Sequence, residues 1–221
     1  MRMKLDITKV TIIETAIITT CIIIGIFFII SRTTNTVDNN KCKYTYGIYR
    51  DNIELKYLNA KSLIVDEVDK YIKSIAPSST LNAIVLFELC DKYDIDIKFV
   101  LAQGHIESHF GTKGMAKKTN SVFNVFAYDG TSFDHISKQG KYDHPDYSVE
   151  PYLILLQKDY LVEGNNEYNL LNDFVNKDGH RYASDSLYED KLKSKFEYIS
   201  ENTQIDELML NYNMYKIILN N

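Results

Sequence analysis

The residues best placed to do chemistry lie in FVLAQGHIESHFGTKGMAKKTNSVFNVFAYDG, residues 99–130, which combines one glutamate, two histidines, several glycines and a polar turn. At about 100° per residue, Glu107 falls within roughly 20° of Val100 on a helical wheel and in line with Gly104, so a carboxylate sits on an otherwise apolar, inward face. Loss of water disfavours the charge of such a group and raises its pKa toward the range in which it holds a proton near neutrality. That is what a general acid needs to protonate a glycosidic oxygen. The bland alternative is a glutamate at a frayed helix end that simply reaches solvent. Gly104, one turn earlier, would let a neighbour approach the helix closely.

The histidines offer a rival chemistry. His105 and His109 are four residues apart, the spacing by which one helix face grips a metal. The order here is H-x-E-x-H, however, whereas helical metalloproteases read H-E-x-x-H. Glu107 lies about 200° from His105 and about 160° from His109, so it points away from any ion they would share. His135, His144 and His180 supply no clear third ligand. We expect no metal, no cofactor, and surface positions for these two histidines.

The elements that must carry these residues are mostly helical. Apolar spacing predicts helices over Ser62–Ile75, Leu81–Tyr93, Ile97 to about Phe110, and Val149–Leu161. Two more follow, one capped by Ser184 or Asp185 and running to Ser200, and one opened by Thr203 and Asp206 and ending near Leu219. Ser121–Tyr147 loses this period and gathers Asn124, Asp129, Gly130, Gly140 and Pro145 between short aromatic runs, which predicts loops and a β-hairpin. The fold class is therefore mainly α with a small β lobe (α+β).

Ahead of this region, Ala16–Ile30 is uncharged, and a helix over Val10–Ile30 would rise about 31 Å, enough to span a bilayer. The following SRTTNTVDNN lacks a small-x-small cleavage site, so an uncleaved anchor is expected rather than a signal peptide. Arg2, Lys4 and Lys9 precede the span and Arg32, Lys41 and Lys43 follow it, giving little charge contrast. The short basic head places the long C-terminal part across the membrane. The expected organisation is a head over 1–9, a transmembrane anchor over 10–30, a linker over 31–60 and a helical domain over 61–221. Cys21 lies in the span, which leaves Cys42 and Cys90 either as a disulfide or as free thiols.

Composition narrows the function classes. The 221 residues carry a formal charge of -5, with 45% hydrophobic and 25% charged residues. A folded, acidic chain of this kind is no nucleic-acid binder, whose affinity would rest on neutralising phosphates. Lys113, Lys117 and Lys118 form a local basic patch, either a solvated loop or a contact for anionic peptide stems. With 17 Tyr and no Trp, any sugar-stacking platform must be Tyr or Phe. The abundance of Ile, Asn, Lys and Tyr, all served by A/T-rich codons, points to the genome of a phage or a low-GC bacterium.

The stretch AQGHIESHFGTKGMAKKTNSVFNV resembles the signature of the endo-β-N-acetylglucosaminidases of bacterial autolysins and phage lysins, AQ-x-x-x-ES-x-x-G followed by A-x-x-x-NN-x-FG-(I/V). KYDHPDYSVEPYLILL resembles the tract that leaves that family's β-rich lobe, and RYASDSLYEDKL resembles its Y-A-(T/S)-D-x-x-Y segment. The three ordered matches cover roughly Ile97–Lys193. The resemblance implies a lysozyme-like helical domain with a β-hairpin lobe, and a peptidoglycan glycan strand as partner. It implies cleavage of the β-1,4 bond after N-acetylglucosamine, with Glu107 as the acid and Tyr182 lining the site. It also makes Asn120 and Phe123 the cleft-shaping pair. Tyr128 and Tyr147 are the further aromatic residues expected near the cleft, whereas Tyr188 is expected to be a packing residue.

Two positions depart from that pattern: Ser121 stands where a second Asn is usual and Asn124 where Gly is usual. Asn tolerates a left-handed backbone better than most residues, so the turn can survive. A second carboxylate has no clear match among Asp129, Asp134 and Asp143. Asp129 is the candidate base if one is required; otherwise the substrate's own acetamido group serves as nucleophile. Competing readings are an inactive wall-binding or virion protein on the same fold, and lytic transglycosylase chemistry.

Overall fold

The structure is a computed structural model that describes residues 39–125, 138–162 and 164–221. The chain divides into two units, Met1–Asn52 and Ile53–Asn221. The described part of the first, residues 39–52, is helical. The apolar run over 10–30, expected to be the anchor, lies outside the described residues. Among the described residues no helix is long and apolar enough to cross a membrane.

Helix α1 spans Asn39–Ile75, so the helix expected from Ser62 begins far upstream, in the stretch read as linker. In the second unit it lays a stripe of Ala60, Ile64, Val68, Tyr71 and Ile72 against the core, at the spacing that keeps one helical face inward. Helix α2, Ala83–Tyr93, is capped by the Asn82 side chain on the Ile84 N–H, and its Leu86, Phe87 and Cys90 are buried. Cys90 is a buried free thiol, and its burial pushes the thiol pKa up. Of the two alternatives for this residue, the structure shows the unpaired one; the side chain of Cys42 lies outside the description.

Helix α3, Ile97–Ser108, is the central element. Asp96 caps it through the Lys98 N–H, and every residue from Ile97 to His105 is buried. A helix enclosed on all sides must satisfy its own polar side chains, and Lys98 does so with Asp206 at 2.6 Å and Ser200 at 2.9 Å. A short helix α4, Ala116–Thr119, and the 3-10 turn Pro145–Ser148 lead to α5, Val149–Leu155, which continues as a π turn over Leu156–Tyr160. Another short helix, α6, spans Glu167–Leu170. Helix α7, Tyr188–Asn202, packs on α3 more extensively than any other pair of elements, and α8, Ile205–Asn220, follows it.

The expected β lobe takes a different form. Among the described residues there is no strand, only an antiparallel bridge between Val175 and Arg181. Residues 121–125 and 138–148 are turns and 3-10 segments, and the rest of the expected hairpin, 126–137, lies outside the described residues. The turns are held by side chains instead of a ladder. The N–H of Val122 donates to Ser148 Oγ at 3.0 Å, while its carbonyl accepts from Ser108 Oγ at 2.6 Å. A buried loop needs such partners because no strand supplies them.

Candidate active site

Glu107 sits in the last turn of α3, just before His109 and Phe110 turn left-handed at φ 47° and 53°. The Phe110 N–H returns to the Gly104 carbonyl at 3.0 Å and closes the helix end. That end is not frayed. Gly104 explains how it closes so tightly, since a Cβ there would lie 3.1 Å from the Phe110 ring and 3.4 Å from the Phe123 ring. The close approach expected at Gly104 is that of these two phenyl rings.

Among the described residues, two donors converge on the half-buried Glu107 carboxylate. The Tyr188 hydroxyl donates to Oε1 at 2.5 Å, and Asn124 Nδ2 donates to Oε2 at 3.2 Å and to the Glu107 main-chain carbonyl at 2.9 Å. Because a carbonyl only accepts, the second bond fixes which end of the Asn124 amide faces Glu107. Asn124 adopts φ 51°, so the residue in place of the usual glycine keeps the left-handed turn and adds a hydrogen bond at the carboxylate.

Tyr188 reaches Glu107 from the first turn of α7. Asp185 builds the approach: its Oδ1 accepts from the Leu187 N–H at 2.9 Å and its carbonyl from the Tyr188 N–H at 3.2 Å. The expectation that Tyr188 only packs is corrected here. Its ring is buried while its hydroxyl is delivered to the carboxylate, a combination a tyrosine's apolar body and polar tip permit. Burial, then the Glu107 charge, push its pKa well above the ordinary phenol value, so it remains a donor.

Behind it stands Gln103, fully buried one turn before Glu107. Gln103 Nε2 donates to the Tyr188 hydroxyl at 3.0 Å, and Gln103 Oε1 accepts from the hydroxyl of Tyr152 on α5. Neither Gln103 nor Tyr152 stands out in the sequence as a site residue, although the A-Q-x-x-x-E-S spacing places Gln103 directly beneath Glu107.

The other expected site residues are distributed as follows. The Tyr182 hydroxyl donates to the Phe123 carbonyl at 2.9 Å, and its ring stacks on Phe174 at 4.6 Å. Its pKa is raised first by burial and then by the Glu107 charge. Phe123 is buried, stacks on Tyr152 at 3.8 Å and lies against Gly104. Asn120 adopts φ 54° and its Nδ2 donates to the Tyr142 carbonyl at 2.8 Å, so it shapes the loop. Tyr147 is 65% exposed with His144 as its ring neighbour. Asp129 and Tyr128 lie outside the described residues, as do Asp134 and His135, and Asp143 is exposed.

The histidine pair turns to the opposite face. His105 is buried rather than at the surface, because its Nδ1 meets the Tyr71 hydroxyl of α1 at 2.8 Å. His109 Nε2 faces Lys113 Nζ at 3.0 Å, while Lys117 and Lys118 are exposed. The two imidazoles stand edge to face at 5.1 Å.

No curated protein matches the sequence. The family model for glucosaminidase, described as mannosyl-glycoprotein endo-beta-N-acetylglucosaminidase, matches residues 85–201, more than half of the chain and the whole of the Gln103, Glu107, Asn124, Tyr152, Tyr182 and Tyr188 constellation. The chain belongs to the glucosaminidase family, a family of glycoside hydrolases.

Proposed function

We propose that this chain hydrolyses peptidoglycan at the β-1,4 bond following N-acetylglucosamine, with Glu107 as the general acid. The observation that carries the reading is the convergence of Tyr188 and Asn124 on opposite oxygens of one half-buried carboxyl at the end of α3. A carboxyl held at a fixed angle can present its proton along one direction, which is what transfer to a glycosidic oxygen demands.

In the proposed reaction the neutral Glu107 gives its proton to the linking oxygen as the C1–O bond breaks, and the leaving sugar departs as an alcohol. The acetamido carbonyl oxygen of the same N-acetylglucosamine forms a bond to C1, producing an oxazolinium. Water then opens that ring at C1, its proton passing to the Glu107 carboxylate, which restores the starting acid. This route requires one carboxyl from the protein. An inverting route would instead need a base roughly 6.5–9.5 Å across the cleft, for which Asp129 is the candidate. We further propose that residues 10–30 anchor the chain in the membrane with its C-terminal part on the wall side. The support is the uncharged run Ala16–Ile30.

The test is product analysis of purified peptidoglycan treated with the full-length chain. New reducing N-acetylglucosamine ends, absent with Glu107→Gln, are expected. Anhydromuramic ends would assign transglycosylation instead. Wall binding by both proteins with no new ends would leave a binding protein and refute the hydrolase.

A further inference from the structure

The buried polar side chains around α3 form a chain of hydrogen bonds with one consistent direction. Tyr152 has a single hydroxyl proton and directs it to Gln103 Oε1. That bond fixes the amide, so Gln103 presents Nε2 to the Tyr188 hydroxyl, which accepts at 3.0 Å. The Tyr182 hydroxyl proton is committed elsewhere, to the Phe123 carbonyl. With its lone pair engaged by Gln103, Tyr188 directs its proton to Glu107 Oε1 at 2.5 Å. Tyr152, Gln103 and Tyr188 are all buried, so an alternative partner would be costly to find.

We infer that Tyr152, Gln103 and Tyr188 act together as positioning residues that commit the Tyr188 hydroxyl proton to Glu107 Oε1. Oε2 accepts separately from Asn124 Nδ2, so one oxygen is held from the core and the other from the loop. The catalytic consequence rests on the reading of Glu107 as a proton donor, but the hydrogen-bond chain itself has a readout independent of catalysis.

A donor on a carboxylate stabilises its charged form. Tyr188→Phe therefore moves the Glu107 titration upward by about one pH unit, the effect of one hydrogen bond to a charged group. Tyr152→Phe alters nothing that touches Glu107 and keeps the ring stacked on Phe123. It frees Gln103 to turn its carbonyl toward Tyr188, so it moves the same titration in the same direction by a smaller amount. A variant that merely loosened packing would not do this.

The experiment is carboxyl ¹³C NMR titration of the full-length chain, with Glu107→Gln identifying the resonance and thermal unfolding confirming that each variant folds. The pH profile of peptidoglycan cleavage is recorded alongside, and its alkaline limb is expected to follow the NMR midpoints. Upward shifts in both variants support the proposal. A Tyr152→Phe midpoint equal to wild type overturns it and leaves only a pairwise Tyr188–Glu107 contact. If Tyr152→Phe fails to fold, Gln103→Met serves in its place, with the same upward shift expected and an unmoved midpoint decisive against. Shifts without any cleavage by the wild type would sink the glycosidase reading while the hydrogen-bond chain stands.

Discussion

Two ionisable side chains two residues apart on α3 meet a tyrosine hydroxyl on opposite faces of the helix. Glu107 meets Tyr188 of α7, and His105 meets Tyr71 of α1. The hydroxyl contact alone therefore says little about function; the surroundings decide. Around His105 the charges are positive, since Lys195, His109 and Lys113 all oppose its protonation after burial has done so, and its pKa is pushed down to about 4. His105 is kept neutral and enclosed by the Tyr71 and Phe110 rings. Glu107 instead stands where core and loop meet, with a donor from each. One face of the helix opposes protonation of a histidine, and the other gathers hydrogen-bond donors around a carboxyl group.

Activity gives the largest expected difference between the two faces. Glu107→Gln should lower the rate of reducing-end release by about 10²–10⁴-fold, the range attached to a positioned acid. His105→Gln should remain within a few fold of wild type, because its contacts run to α1 and away from the carboxyl. Comparable losses in both variants, each still folded by circular dichroism, would break the division between the faces.

Much of this arrangement is legible in the sequence where a local signal exists. The start of α3 at Ile97 agrees with its apolar spacing, whereas α2 begins at Ala83 behind Asn82 rather than at the expected Leu81. The wheel that separates Glu107 from the histidines by nearly half a turn agrees with the bonds of Glu107 to α7 and of His105 to α1. Partners that are distant in the chain leave no such signal. Tyr188 lies 81 residues from Glu107 and Tyr71 lies 34 residues from His105, so neither a packing tyrosine nor a surface histidine could be told from its alternative by spacing. The β-hairpin expectation failed for the described turns because Gly, Asn and Pro mark a change of direction equally well when serine side chains, rather than a ladder, hold it.

The second comparison concerns stability against pH. His105 has a folded value near 4 against about 6.5 when unfolded. Above about pH 6.5 both states are neutral and this group contributes no dependence. As the pH falls toward about 4 the unfolded chain takes up a proton that the folded chain refuses, so stability declines, by about 1–2 kcal/mol once solvent screening is allowed for, and then levels off. Denaturant unfolding of the full-length chain across that window should show the decline, and His105→Leu should flatten it. A wild-type profile unchanged by that substitution would mean that water already reaches the imidazole and that the two faces of α3 are less different than their contacts indicate.

The smallest effects separate two serines that flank the same loop. Ser108 and Ser121 are each 1% exposed. Ser108 Oγ donates to the Val122 carbonyl and accepts from the Gly111 N–H at 2.7 Å, whereas Ser121 Oγ is buried without a hydrogen-bond partner among the described residues. Ser108→Ala strands a donor and an acceptor in the interior and should cost about 2 kcal/mol. It should also reduce cleavage, since Val122 is two residues from the Asn124 amide that meets Glu107. Ser121→Ala removes a hydroxyl that already lacks a partner, so its cost should be about zero or slightly favourable. Chemical denaturation of the two variants side by side measures the difference. Equal destabilisation would show that the Ser121 hydroxyl, which occupies the usual asparagine position, contributes to the turn after all, and that the loop carrying Asn124 is fixed from both sides of Val122 rather than by Ser108 and Ser148 alone.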